Sequence, residues 1–353
     1  MSVIAITGVG GMVGRRLVEV LDQDPEVTRI VGIDRRAPQG LSSPKLHFQV
    51  GDVRDERIAE ALAGADALVH LAFRVDPIHD AAAMRAVNVD GAAAVFEAAL
   101  VAGVGHLVYP SSVIVYGAHP DNEVPLTESS ELRGIPNFPY AEHKLDVERW
   151  LAPWIEHHPE LAVTVLRFGA LLGPGVDNFI TRSFEAPRIP TIRGHRPPLQ
   201  FLHPEDAVSS MHHVLRKRLT GYYNVCADGW LSFDEVTAIM GRGTVEVPEE
   251  LAYGTVDRMW SLGLGEQPPG VLALFTHPWV MSASKLEATG WQPRYSNRDA
   301  VAAMAAEHSA YLTLGSVRVR RRDVRLAGAG VAATTALLVW RWRRRRCSSR
   351  CAS

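Results

Sequence analysis

The sequence predicts an α/β protein, a doubly wound parallel sheet followed by a smaller and less regular C-terminal lobe. Three observations predict it. Short apolar runs alternate with longer helical patterns through the first half of the chain. Those runs are continuously apolar, the pattern of strands buried on both faces of a sheet. After Phe168 the rhythm gives way to Gly/Pro-rich sequence, with Gly173-Pro174-Gly175 and then Pro187, Pro190, Pro197 and Pro198.

The predicted strands cover residues 3–7, 29–34, 46–50, 67–71, 106–112 and 162–168, with helix-like segments between most of them. Such an order places ligands at the carboxyl ends of the strands. A strand-like run over 221–225 and a helix opening at Ser232, with Glu235 completing a capping box, bring the chain back to the first domain before the lobe is finished. The expected organisation is a nucleotide-binding domain over 1–172, rejoined by 200–230. A substrate lobe takes 173–199 and 231–315, and a tail takes 316–353.

Usage that is 47% hydrophobic and 22% charged marks the body as globular and excludes general disorder. The net charge of −2 conceals an asymmetry, because the tail from Ser316 carries eleven arginines against the single acid Asp323. An acidic body argues against nucleic acid as a partner, whereas the basic tail suits an anionic membrane surface or RNA. The three cysteines, Cys226, Cys347 and Cys351, have neither zinc-ligand nor redox spacing, and a cytoplasmic location is expected. The N-terminal apolar run ends at the glycines too soon for the core of a signal peptide, and reads as a strand.

Gly8, Gly11 and Gly14 stand between the first strand and a helix that opens near Met12, where backbone must approach a pyrophosphate closely. Asp34 ends the second strand, 20 residues past Gly14, where a carboxylate accepts hydrogen bonds from both hydroxyls of a ribose. That pattern is a Rossmann-type dinucleotide site. The Asp34 charge would repel a 2′-phosphate and favours NAD over NADP, although Arg35 and Arg36 follow directly. Asp52, ahead of Val53, either meets the adenine edge or caps a helix over 54–62.

Tyr140 and Lys144 are four apart on a helical pattern and share a face. An adjacent ammonium is expected to lower the phenol's pKa and make Tyr140 a usable acid and base. Ser112 closes the fifth strand at the carboxyl edge, placed to hold a substrate oxygen. With these residues in place the chain resembles the extended short-chain dehydrogenase/reductase family, also called the NAD-dependent epimerase/dehydratase family. The matching motifs are Thr7-Gly8-x-x-Gly11-x-x-Gly14, Val69-His70-Leu71-Ala72, Asn88-Val89-Asp90-Gly91, Ser111-Ser112 with Val115-Tyr116-Gly117, Tyr140-x-x-x-Lys144, Leu166-Arg167, Gly173-Pro174-Gly175 and His203-Pro204-Glu205-Asp206.

The resemblance implies catalytic roles for Ser112, Tyr140, Lys144 and Asn88, the last ordering the lysine and a proton-relay water. It implies a cofactor site of Gly8, Gly11, Met12, Gly14, Asp34, Arg35, Asp52, Val53, Leu71 and Ala72 together with Tyr140 and Lys144. It also implies a homodimer through the two helices beside the active site. Sugar dehydratases of the family carry an acidic pair after the serine, and here those positions are Val113 and Ile114. Neither transfers a proton, so a 4,6-dehydratase is not expected.

The expected activity is NAD-dependent hydride transfer at a secondary alcohol of a sugar or nucleotide sugar. Leu199 stands where the nucleotide-sugar branch usually has a diphosphate-gripping arginine, with Arg182, Arg188, Arg193 and Arg196 as nearby substitutes. This leaves a lipophilic, sterol-like alcohol as the alternative substrate, and a non-catalytic NAD sensor as a further alternative. No metal is expected, since the adjacent pairs His157-His158 and His212-His213 point apart on a helix. His203 and His70 are expected to be structural. The uncharged run over 326–340 would span about 22 Å as a helix, against about 30 Å of hydrocarbon. It reads either as a membrane anchor or interfacial helix, or as a basic extension.

Overall fold

The computed structural model describes residues 2–55, 57–184, 188–308, 311–314 and 317–320. In chain order the first half contains β1 (Ser2–Thr7), α1 (Met12–Gln23), β2 (Val27–Asp34), β3 (Leu46–Val50), α2 (Ile58–Leu62), β4 (Ala67–His70), α3 (Ala81–Arg85), α4 (Gly91–Val101), β5 (His106–Ser112), α5 (Pro139–His157) and β6 (Ala162–Phe168). A π-helical turn over Ala86–Asp90 joins α3 to α4. Seven strands pair in the order β3-β2-β1-β4-β5-β6-β10, where β10 is Gly221–Val225, and every pairing is parallel. The order reverses between β1 and β4, which makes the carboxyl edge there the natural crevice.

The twofold alternation of the strands divides the core between two faces. Ile4 and Ile6 of β1 pack with Leu17, Val18 and Leu21 of α1. Ala5 faces the other way, toward Val95 and Phe96 of α4 and Leu151 of α5. The inner strands β4, β5 and β6 are buried along almost their whole length, whereas the edge strand β3 is largely exposed, with His47, Gln49 and Val50 open to water.

The later elements are β7 (Ala170–Leu171), α6 (Phe179–Ser183), β8 (Arg188–Ile192), β9 (Phe201–Leu202), α7 (Pro204–Lys217), then β10, α8 (Phe233–Met240), β11 (Gly243–Val247), α9 (Glu249–Ser261), α10 (Ser284–Glu287) and α11 (Asn297–His308). Short parallel pairs, β7 with β9 and β8 with β11, lie outside the main sheet. Ser232 and Glu235 form the expected capping box on α8. Val208 and Met211 of α7 join the α1 face of the core.

The helix expected over 54–62 starts only at Ile58. Asp52 accepts the backbone N–H of Arg54 at 3.1 Å and its guanidinium at 2.9 and 2.7 Å, and Asp55 accepts the Arg57 N–H at 3.0 Å. These local side-chain turns compete with helix and delay it by a turn. Of the tail, Val317–Arg320 pairs antiparallel with Tyr311–Leu314, and the apolar run over 326–340 lies outside the described residues, as do Cys347 and Cys351. No helix among the described residues is long and apolar enough to cross a membrane.

Candidate active site

A cavity of about 350 Å³ opens at the carboxyl edge of β1, β4, β5 and β6. Gly8, Gly11, Met12 and Gly14 line one side of it, and Ser112, Tyr140 and Lys144 line another. The turn leading into α1 requires its glycines. Gly8 has φ +75°, and a Cβ there would stand 2.6 Å from the Ala72 nitrogen, while one on Gly14 would stand 2.6 Å from the Gly8 oxygen. Gly11 caps α1 without a side chain, which leaves the amide end of the helix open to an anion in the cavity.

A second cavity adjoins the first across Gly8, Gly11, Leu71 and Phe73, and is lined by Asp34, Arg35, Asp52, Val53 and Ala72. Asp34 is oriented by the glycine turn itself, accepting the Gly10 N–H at 2.9 Å and the Arg36 N–H at 3.2 Å. Arg35 leans toward Asp52, Nε to Oδ2 3.7 Å, and the guanidinium of Arg54 holds the Asp52 carboxyl down at about 2. Asp52 caps no helix; its two oxygens are occupied by Arg54.

Ser112 ends β5, and its Oγ accepts the N–H of Ile114 at 3.4 Å. Pro139 opens α5, Tyr140 follows, and Lys144 lies one turn further along the same face. Lys144 is buried; its Nζ donates to the Pro110 carbonyl at 2.7 Å and the Tyr109 hydroxyl at 3.3 Å, and lies 3.7 Å from the centre of the Phe73 ring. Burial depresses Lys144 to about 7, opposed by the carboxylate of Glu148 one turn later. Glu148 is engaged elsewhere, accepting the Ser111 hydroxyl and the guanidinium of buried Arg167 at 2.7 Å.

Burial raises the Tyr140 phenol above its ordinary value, and a hydrogen bond with Ser112 works against that rise. The lowering expected from Lys144 is not found: the group that opposes the rise is Ser112, and the Lys144 ammonium is turned to Pro110 and Tyr109. A lysine poised near 7 is an equivocal cation, and its hydrogen bonds run to β5 carbonyl and phenol groups.

Asn88 sits in the π-helical turn behind this wall. Its Oδ1 accepts the Arg74 N–H at 2.7 Å, its Nδ2 donates to the Arg74 carbonyl at 2.9 Å, and Nδ2 lies 3.4 Å from His143 Nδ1. It thus clamps the loop after β4 and reaches the residue before Lys144, rather than the cavity. Extra-residue helical turns of this kind recur at functional sites.

His70 also lines the cavity, buried against Phe96, with Nδ1 2.7 Å from the Thr7 hydroxyl; burial depresses it to about 3 and keeps it neutral. His203 caps α7, accepting the Glu205 N–H at 3.2 Å, and stacks on Tyr295. His212 meets Asp24 at 2.7 Å and His213 meets Thr289 at 2.8 Å, on separate elements. Among the described residues no group of three metal-ligating side chains gathers.

The far wall of the cavity was not foreseen from sequence. Phe73, Val75 and Asp76 come from the loop after β4, Val176, Asp177 and Ile180 from the segment after β7, and Leu274 and Trp279 from much later in the chain. Phe73 stands edge-on to Tyr140, ring centres 5.9 Å apart, as well as over Lys144. An aromatic three residues past the end of β4 was the available signal.

Residues 4–226 match the model of the NAD dependent epimerase/dehydratase family, and the chain belongs to that family of enzymes. An uncharacterized protein of Mycobacterium tuberculosis is 28% identical over 308 residues, covering 85% of this chain and 82% of the relative. An L-arabinose 1-dehydrogenase (NAD(P)(+)) of Haloferax volcanii is 44% identical over 115 residues, covering 32% of this chain and 41% of the relative. The solved structure of Thermus thermophilus UDP-glucose 4-epimerase in complex with NAD superposes with a TM-score of 0.67 at 20% identity, covering 89% of this chain and 100% of that one. At that identity the shared feature is the fold.

Proposed function

We propose that this chain is an NAD-dependent oxidoreductase or epimerase that acts at a secondary carbinol held between Ser112 and Tyr140. One observation carries the reading. Ser112, Tyr140 and Lys144 line the same cavity as the glycine turn, and that cavity adjoins the one containing Asp34. The spacing fits a dinucleotide laid across both, its pyrophosphate at the start of α1 and a ribose at Asp34. Nicotinamide, when bound, supplies the hydride acceptor or donor.

The chain's own residues supply the rest. Ser112 holds the reacting oxygen, and Tyr140 exchanges its proton. Lys144 holds the nicotinamide ribose, and Asn88 positions the loop and the His143-Lys144 segment from behind. Asp34, oriented by the glycine turn, favours NAD over NADP, because its charge would repel a 2′-phosphate. Val113 and Ile114 line the cavity and carry no transferable proton, so neither supplies an acid or a base for dehydration. A pure NAD sensor has no need of the Ser112, Tyr140 and Lys144 set.

Two carbinol classes remain in view. The named activities of the relatives support a sugar or nucleotide sugar, and the apolar far wall supports a lipophilic alcohol. The test of the shared chemistry is Tyr140→Phe. NADH titration should show binding within twofold of the unmodified protein, while turnover of any accepted alcohol falls 100-fold or more, as about 10²–10⁴ for loss of a general acid–base implies. Unchanged turnover, or no NADH binding by the unmodified protein, refutes the reading.

A further inference from the structure

The part of the cavity beyond Ser112 and Tyr140 must hold the body of the molecule that bears the carbinol. Val113, Ile114, Phe168, Val176, Leu274 and Trp279 form its wall, and each is buried in the fold. The acids in the lining are Asp76 and Asp177. Lys144 is the one lysine or arginine among the described lining residues, and it is held against β5 by the Pro110 carbonyl, beneath Phe73.

None of the candidate phosphate grips reaches this space. Arg182 is bound by three carboxylates, Asp177 at 2.9 Å, Asp76 at 3.3 Å and Glu266 at 3.6 Å, so its charge is already more than neutralised. Arg196 pairs with Glu246 at 2.6 Å, and Arg188 and Arg193 are exposed. Leu199, at the position of the usual arginine, is buried, and its backbone bridges to Leu231. A nucleotide diphosphate would lose its hydration here, meet two acids and find no free counterion. Uncompensated burial of such a charge is strongly unfavourable, whereas apolar surface gains by entering.

Building on the hydride-transfer reading above, we propose that the substrate is a neutral lipophilic secondary alcohol or its ketone, polar only at the reacting oxygen. In the oxidising direction the carbinol C–H bond breaks with its electron pair passing to the oxidised dinucleotide. The O–H proton passes to the Tyr140 oxygen as that phenol gives its own proton on to solvent, giving ketone, reduced dinucleotide and one proton.

The test uses the full chain saturated with NAD and a series of probes: cyclohexanol and its 4-methyl, 4-ethyl and 4-propyl homologues, beside UDP-glucose, UDP-glucuronic acid and L-arabinose. NADH formation is followed by fluorescence, and UDP-glucose is also analysed by chromatography for its epimer. The expected result is a rise in kcat/KM of about fourfold per added methylene, the effect of burying one such group, with no reaction of the three sugars. Leu274→Ala and, as a second variant at a part-exposed position, Ile180→Lys should each flatten that series while NADH affinity stays within twofold. Turnover of any of the sugars, a flat homologue series, or NADH binding with no alcohol accepted overturns the substrate assignment. Failure to bind NADH at all instead defeats the hydride-transfer reading, so the two are separated.

Discussion

Replacing Lys144 by methionine should stabilise the cofactor-free protein while abolishing turnover. The ammonium is buried, and burial takes its pKa from the ordinary 10.5 to about 7. Each unit of that fall is about 1.36 kcal/mol, so the folded state gives up about 5 kcal/mol at neutral pH by holding this lysine. Methionine removes that penalty. It also abandons the bonds to the Pro110 carbonyl and the Tyr109 hydroxyl, at about 1–3 kcal/mol together. The net gain at pH 7 is about 2–4 kcal/mol. Its pH dependence has a definite sign: between 7 and 10.5 the unfolded lysine binds more protons than the folded one, so the stability of the unmodified protein rises with pH and the advantage of methionine shrinks. Below 7 the difference is constant. Urea unfolding of both proteins across pH 6 to 10.5 reads this directly. A difference in stability that stays level from pH 7 to 10 would show that Lys144 titrates normally and would refute the reasoning.

Three further outcomes are expected. Asp34→Ala should narrow the preference for NADH over NADPH, measured as the ratio of the two dissociation constants; equal affinities in the unmodified protein would remove the basis for assigning Asp34 to the ribose. Gly14→Ala places a Cβ 2.6 Å from the Gly8 oxygen and 2.8 Å from the Val9 Cα, both backbone atoms, so the turn must shift. Thermal unfolding should register a loss of about 1–3 kcal/mol, and NADH affinity should drop at least tenfold. Glu148→Ala leaves the buried Arg167 guanidinium without its carboxylate, and urea unfolding should show a loss of about 3–5 kcal/mol; a loss under 1 kcal/mol would mean that the pair is solvated.

The sheet was legible because its physics is local. Burial on both faces gives the inner strands their apolar runs, and the six predicted strands correspond to β1 through β6 within two residues at their ends, although the edge strand β3 is largely exposed. The glycine turn was legible for the same reason, since the backbone there admits no Cβ. Where side chains compete with the backbone, legibility failed: Asp52 and Asp55 each turn onto an arginine two residues on, and the helix after β3 is cut to its last turn. The far wall of the site was illegible for a different cause. Leu274 and Trp279 reach the cavity through tertiary packing of a Pro-rich lobe whose strands are two to five residues long, and no periodicity announces such contacts. The electrostatics of the tyrosine–lysine pair also lay beyond sequence. Spacing alone places an ammonium beside a phenol, but burial of Lys144 beneath Phe73 decides how much charge that ammonium carries.

A crystal structure of the full chain grown with NADH tests the account most directly. The pyrophosphate should lie against the start of α1 at Gly11 to Gly14, the adenine ribose against Asp34, and the nicotinamide ring beside Ser112 and Tyr140. NADH seated with its nicotinamide outside this cavity, or a cavity that stays empty at saturating NADH, would contradict it.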